Sequence, residues 1–423
     1  MSSTTIDLGR GNLFAGLDRE PGRWGSPPTA AAGRAWTQAA DLITAEVLAK
    51  EAMLLGPLHS GAEWRGNLYN GYLGTALFFA VAGRRNPAAR DLCGRLLSSF
   101  EASPAGVPPS AGAYVGPLSR VLAFDQVAEI LGDPELRGRS LDLALREAGP
   151  SASHHDVISG NAGSIMVLLG CRAVLPAGDS RRDRLLSVAE ACAAEILSHR
   201  VRIDGLPATF PPKSGESPRT GFAHGAAGIA LALFLVFAEN GDPELHRCAS
   251  SALAFERALF RHEYHAWPSS PDAPTNLPNG WCYGAPGIAL ARAAILRVLS
   301  ESGPPPEILS DLQLALEVSW QAPAVPLDHL CCGMFSRVEA LRAIAAILGD
   351  ERPRRAAGTL AIWALRAVKT RLRFSLGGNS PEENLSLLQG LPGVGYSLLR
   401  LMDDEDRSPS ALLPVHLTHR EAC

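Results

Sequence analysis

The chain of 423 residues carries 39 Lys and Arg against 43 Asp and Glu, a formal net charge of −4 with only 19% charged residues. That balance excludes a basic nucleic-acid platform or an acidic tail as its theme, and 46% hydrophobic residues exclude a disordered chain. The length allows two or three domains, or one large closed architecture.

In chain order, residues 1–33 form a lead-in rich in Pro and Gly. It bears Asp7, Arg10, Asp18, Arg19 and Glu20 and has no apolar signal region, so it predicts a loosely packed arm ahead of a single domain over 34–423. An amphipathic helix is predicted over 36–53, followed by Gly71-x-x-Gly74, which opens an apolar stretch. The same device returns as Gly116-x-x-Ser119, then Gly160-x-x-Gly163, then Gly225-x-x-Gly228. Gly284-x-x-Gly287, Gly333-x-x-Ser336 and Gly390-x-x-Gly393 complete the series. Amphipathic segments lie between the copies, over 182–199, 307–320 and 354–368, and Asp133-Pro134 and Asp242-Pro243 each read as an N-cap with Pro at the first helical position. Two stretches, 210–220 and 268–278, read as long irregular loops, which are uncommon unless functional.

A single Gly-x-x-Gly is ordinarily a tight turn or a close helix contact. Seven in register are a repeat. Each unit reads as an amphipathic helix, a loop, a glycine turn and a more apolar helix. The apolar helix needs burial all round and the amphipathic one needs it on one face. Closing seven pairs into a ring satisfies both demands, whereas an open solenoid would need polar capping units. The fold class predicted is all-α. The longest apolar run, 226–238, is well short of the roughly 20 residues of a membrane span. A cytoplasmic protein without a membrane span is expected, and there its eight cysteines are not a disulfide framework.

Three cysteines share one address. Cys282 stands two residues before Gly284, and Cys331 and Cys332 immediately precede Gly333, in adjacent copies. Thiolates are favoured at helix N-termini, and three convergent ones suit zinc while leaving a fourth position open. The alternative reading makes Cys282 a core residue and Cys331 and Cys332 incidental. Cys93, Cys171, Cys192 and Cys248 are assigned to core packing, and Cys423 is simply the last residue. His224 precedes Gly225 at the corresponding address of the fourth copy, as a functional imidazole or a satisfied core histidine. Asp156 precedes Gly160 by four residues and either orients His224 or caps a helix. Tyr283, beside Cys282, either donates a proton or is a half-buried ring with a bonded hydroxyl.

Together GFAHGAAG, WCYGAPG, the Cys-Cys-Gly turn and the seven glycine-paired helices resemble the lanthionine synthetase C-like family, over 36–401. The resemblance implies an α/α toroid of seven inner and seven outer helices with one zinc. The implied activity adds peptide cysteine thiols to dehydroalanine or dehydrobutyrine, forming thioether rings. Most members carry Cys-His-Gly, and the Cys-Cys-Gly form is similar to a subset of class II lanthipeptide synthetase cyclase domains. A zinc held by Cys282, Cys331 and Cys332 is therefore implied, with His224 as general acid/base, Asp156 as the active-site aspartate and Tyr283 as the family's tyrosine. Two features depart from the pattern. Pro278 stands three residues before Trp281, where some members have an arginine, and Ser336 replaces a glycine. A dehydrated precursor peptide is the implied partner; the 423 residues leave no room for the dehydratase domain of full class II enzymes, and whether a separate dehydratase serves as a second partner is left open. Glutathione-type addition to dehydroamino acids in proteins, and a peptide-binding toroid without catalysis, are the competing readings.

Overall fold

A computed structural model describes residues 30–56, 66–101, 112–300, 306–371, 373–377, 383–403 and 410–417. Its helices are α1 (Ala30–Leu48), α2 (Glu51–Leu54), α3 (Thr75–Ala82), α4 (Pro87–Glu101), α5 (Leu118–Leu131) and α6 (Pro134–Glu147). There follow α7 (Asn161–Ala173), α8 (Arg181–Ser198), α9 (Ala226–Asn240), α10 (Pro243–Ala258) and α11 (Ala285–Val298). The series ends with α12 (Pro306–Gln321), α13 (Met334–Leu348), α14 (Glu351–Arg371) and α15 (Leu391–Leu401). Among the described residues there are isolated β-bridges, such as Val201 with Thr209, and no β-strand. The arm expected over 1–33 lies outside the described residues as far as residue 29, and α1 begins at Ala30. Cys423 is also outside them.

The seven helices that follow the glycine turns are α3, α5, α7, α9, α11, α13 and α15. Each packs on the next, and α15 packs back on α3, so they form a closed inner ring. The outer helices α4, α6, α8, α10, α12 and α14 each pack on the inner helix that precedes them, and α1 packs on α15. This is the expected α/α toroid of seven inner and seven outer helices, with one difference in pairing. The sequence groups each amphipathic helix with the apolar helix after it, whereas its main contact in space is the apolar helix before it. Short, sharply capped turns are the reason. Gly132 and Gly241 end α5 and α9 with left-handed φ of 65° and 73°, and Asp133 and Asp242 at once cap α6 and α10 through their carboxylates. The outer helix folds straight back, while longer loops lead on to the next inner helix. The first outer helix has no inner helix before it, so it is left for α15.

The glycine pairs are explained by space. A Cβ at Gly163, Gly228 or Gly287 would stand 2.1 Å from the carbonyl oxygen six residues earlier, because the preceding loop folds tightly over the first helical turn. Where serine takes the second position, its hydroxyl turns back instead: Ser119 donates to the Gly116 carbonyl at 2.6 Å and Ser336 to that of Gly333 at 2.8 Å.

The seven loops are also stitched to one another. Counting back two residues from each first glycine gives Tyr69, Tyr114, Ile158, Ala223, Cys282, Cys331 and Leu388. Backbone hydrogen bonds link these positions, or their immediate neighbours, in sequence around the ring. Leu68 donates to Tyr114 (3.0 Å), Tyr114 to Ile158 (3.1 Å), Val157 to Ala223 (3.0 Å) and Ala223 to Cys282 (3.3 Å). Trp281 donates to Cys331 (3.0 Å), Cys331 to Leu388 (2.8 Å) and Leu388 to Tyr69 (3.4 Å), which completes the circuit.

The inner helices are less uniformly apolar than their sequences suggest. Arg292 on α11 is buried between Glu256 (2.9 Å) and Asp311 (3.2 Å), and Arg342 and Arg400 both pair with buried Glu339. Arg337 on α13 donates to the Ser319 and Ala322 carbonyls at the end of α12, and its burial lowers its pKa to about 10. Residues 410–417 occupy the interior. The Leu412 carbonyl accepts from the Trp281 indole (2.9 Å), that of Ala411 from the Tyr114 hydroxyl (2.8 Å), and the Ser410 hydroxyl donates to Glu339 (2.7 Å). His416 is bonded to Asp125 of α5, and both are buried.

Two glycine substitutions test this account of the turns. Gly228→Ala should lower stability by roughly 1–3 kcal/mol, because the new methyl group has no room. Gly138→Ala on α6, where nothing lies within 4 Å of the new Cβ, should raise it by about 0.5–1 kcal/mol. Chemical denaturation midpoints of the two variants would read both signs.

Candidate metal centre

Two loops build the sulfur cluster. The loop before α11 carries Cys282 and the loop before α13 carries Cys331 and Cys332. They lie backbone against backbone, since a Cβ at Gly280 would stand 2.6 Å from Cys332 Cα. Cys282 and Cys331 hold the same register in neighbouring copies, so the ring of backbone bonds brings their side chains together. Cys332 Sγ is 3.4 Å from that of Cys282 and 3.5 Å from that of Cys331, and all three sulfurs lie within 4.8 Å of one another.

The donor set fits zinc. Three thiolates at about 2.3 Å from a tetrahedral ion stand roughly 3.8 Å apart, close to the spacing observed. Without an ion the three cannot ionise together. The Cys332 thiolate is favoured by hydrogen bonds from the Cys282 and Cys331 thiols and by the nearby His329 and His224, so its pKa is lowered. Hydrogen bonding to its neighbours, followed by burial, pushes Cys282 the other way. A divalent cation removes that conflict by offsetting the charge of all three. Cys282 and Cys331 are buried while Cys332 is half-buried, which makes the Cys332 side the open one.

His224 stands near enough to Cys332 to favour its thiolate, Tyr283 follows Cys282 in the chain, and both rings are half-buried. The Asp156 carboxylate meets His224 Nδ1 at 2.6 Å, and its other oxygen accepts the Ser159 backbone N–H at 2.8 Å. An acceptor at Nδ1 holds the proton there and leaves Nε2 as the unprotonated nitrogen of the neutral ring. Of the two expectations for Asp156, it is the contact with His224 that is present, while α7 is preceded by Gly160 with no side-chain cap. The Tyr283 ring stacks on His224 with centroids 5.3 Å apart and planes 26° apart. Its hydroxyl accepts a hydrogen bond from Arg219 at 3.2 Å. Burial pushes Tyr283 up to about 12, against the pull of Arg219.

With this geometry in hand, the family profile described as lanthionine synthetase C-like protein matches residues 62–413. The chain belongs to the lanthionine synthetase C-like family. Among solved structures it is similar to a nisin cyclase, with a TM-score of 0.60 at 15% identity, covering 85% of this chain and 93% of that one. It is also similar to a sugar epimerase from a ruminal bacterium, with a TM-score of 0.40 at 10% identity, covering 67% of this chain and 85% of that one. The nisin cyclase likeness bears on the fold. Among the described residues, no helix is long and apolar enough to cross a membrane.

Three residues of the site were not singled out in the sequence. Tyr69 places its hydroxyl 3.1 Å from Cys331 Sγ and in turn accepts from Gln389 at 3.4 Å. Its signal was available, since it holds the position in the first copy that Cys282 and Cys331 hold in theirs. His329 takes the Cys332 backbone N–H at Nδ1 (3.4 Å) and stands four residues before Gly333, as Asp156 stands before Gly160. Arg219 comes from the 210–220 loop, at no repeat position, and brings a guanidinium to a site where Pro278 supplies none. The other described cysteines, Cys93, Cys171, Cys192 and Cys248, are buried on α4, α7, α8 and α10, as core packing requires.

Removing one sulfur should unmake the cluster. Cys332→Ala is expected to weaken zinc binding by more than about 100-fold, so that metal analysis of the dialysed protein falls well below one ion per chain. Cys248→Ala should leave the metal content unchanged.

Proposed function

We propose that this chain is a zinc-dependent cyclase that joins cysteine thiols of a dehydrated precursor peptide to dehydroalanine or dehydrobutyrine, forming lanthionine and methyllanthionine rings. The observation that carries the reading is the convergence of three sulfurs, from adjacent loops of a family toroid, beside an Asp156-oriented His224. Cys282, Cys331 and Cys332 would hold one zinc, and bound there it would supply a centre of positive charge that favours thiolate over thiol near neutral pH.

The remaining work falls to side chains of the chain itself. Addition forms one S–C bond at the β-carbon and moves the π pair of the alkene toward the α-carbon and its carbonyl. The thiol proton must leave and a proton must reach the α-carbon. His224 Nε2, left basic by the bond at Nδ1, is suited to take the first. The Tyr283 hydroxyl, kept protonated by burial, is suited to deliver the second. Nothing is oxidised or reduced, so no electron carrier is needed. Tyr69 contacts Cys331 Sγ and His329 accepts from the Cys332 backbone, which steadies the sulfur loop. We assign this activity to a domain over 34–423, acting in the cytoplasm, where substrate cysteines stay reduced. A separate dehydratase would prepare the substrate.

Incubation of the zinc-loaded protein with a dehydrated, cysteine-containing peptide and glutathione tests the reading. Loss of the free peptide thiol at unchanged mass is the expected result. A glutathione adduct would instead support small-thiol addition, and binding with the peptide unaltered would support a non-catalytic toroid. His224→Asn should keep its zinc and slow ring formation by about 10²–10⁴-fold. Wild-type turnover in that variant would remove His224 from the mechanism.

A further inference from the structure

Arg219 approaches Tyr283 from the irregular loop before α9. Its Nη1 lies 3.2 Å from the phenol oxygen, its guanidinium carbon lies 5.9 Å from the ring centroid, and Nη2 donates to Glu216 at 3.2 Å. The side chain is 37% exposed, so its contact with Tyr283 is reachable from solvent. Its backbone, by contrast, is firmly held. The Arg219 carbonyl accepts from Ala226 in the first turn of α9 at 2.9 Å, and the Thr220 backbone N–H donates to Ser269 at 3.1 Å. Gly221 donates to the buried Glu256 carboxylate at 2.7 Å, which Arg292 pairs with at 2.9 Å.

A guanidinium carries donors and no acceptor. The Tyr283 oxygen must therefore accept at Arg219, and its own proton must point elsewhere. No other hydrogen-bond partner of that hydroxyl occurs among the described residues. The ring stacks on His224 and, like His224 and Cys332, is half-buried, so the proton is left uncommitted to the fold at a position solvent or substrate can reach.

We propose, resting on the cyclase reading, that Arg219 is a positioning residue that aims the Tyr283 proton at one face of the substrate α-carbon. In that step the phenol O–H bond breaks and an α-C–H bond forms. The resulting phenolate stands beside the guanidinium until it regains a proton, by way of water, from the imidazolium of His224. That proton is the one released by the substrate thiol, so the ledger closes. Arg219 thereby sets the configuration of the new stereocentre as well as the rate.

The test uses the full-length zinc-loaded protein and the dehydrated peptide. Wild type is compared with Arg219→Met, Arg219→Lys, Tyr283→Phe and the Arg219→Met/Tyr283→Phe double variant. Rates are measured at saturating peptide, and the lanthionine diastereomer ratio is read by chiral chromatography after hydrolysis. Tyr283→Phe should slow ring formation about 100-fold. Arg219→Met should slow it about tenfold. Both should raise the share of the minor diastereomer, and the double variant should be no slower than Tyr283→Phe alone. Arg219→Lys, which keeps a donor-only cation, should return the ratio to that of wild type. The inference is overturned if Arg219→Met leaves the ratio unchanged, whatever its rate, if the two effects multiply, or if Arg219→Met loses zinc. Failure of the wild type to form any ring overturns the cyclase reading and this inference with it, whereas rings from the wild type with an unaltered ratio in Arg219→Met overturn the inference alone.

Discussion

The circuit of backbone hydrogen bonds that joins the seven loops is the constraint on which the rest of the molecule depends. Helix packing by itself tolerates sliding and rotation of several degrees. Bonds between main-chain groups at matched positions do not. They set every inner helix at the same height, and whatever side chains occupy equivalent positions in neighbouring copies then face one another. Cys282 and Cys331 meet for that reason. The glycine pairs serve the same end, because at Gly163, Gly228 and Gly287 the absence of a Cβ lets the loop lie closely over the helix it leads into.

Around this circuit the polar interior is distributed in a consistent way. Buried arginines on the inner helices find carboxylates or helix-end carbonyls, so each charge taken out of water is matched. The candidate centre is the exception. Its three sulfurs crowd together, and only one of them can hold a negative charge comfortably without help. Among the described residues, the buried arginines elsewhere are matched, and this imbalance falls where a cation would resolve it. The hydrogen bonds of Asp156 to His224 and of Arg219 to the Tyr283 hydroxyl add two polarised groups near the sulfurs.

Much of this was legible in the sequence, and what was not has physical reasons. The glycine pairs and the Asp-Pro caps at Asp133 and Asp242 are local signals, and local signals survive folding intact. The sulfur trio was legible because a repeat converts sequence offset into spatial address. The same rule reaches Tyr69, but a tyrosine among apolar residues draws no notice until its neighbour across the ring is known. Arg219 obeys no repeat, since it sits in an irregular loop whose course is set by Glu256 and Ser269, far away in sequence. The buried Arg292, Arg337 and Arg400 were hidden inside stretches that read as simply apolar, because their partners lie on other helices. The order of pairing was misread for a related reason: turn length, not hydrophobic pattern, decides which neighbour a helix folds against.

The packing of α1 on α15 has a consequence for how the chain is made. The first wall of the ring finds its seat only when the last inner helix has been synthesised, and Cys331 gains its bond to Leu388 at the same late stage. A nascent chain leaving the ribosome therefore holds its early helices as an unfinished arc with two raw edges. The sulfur loop thus receives its last backbone bond only after Leu388 has been made, so its final register is set later than the cysteines themselves are synthesised.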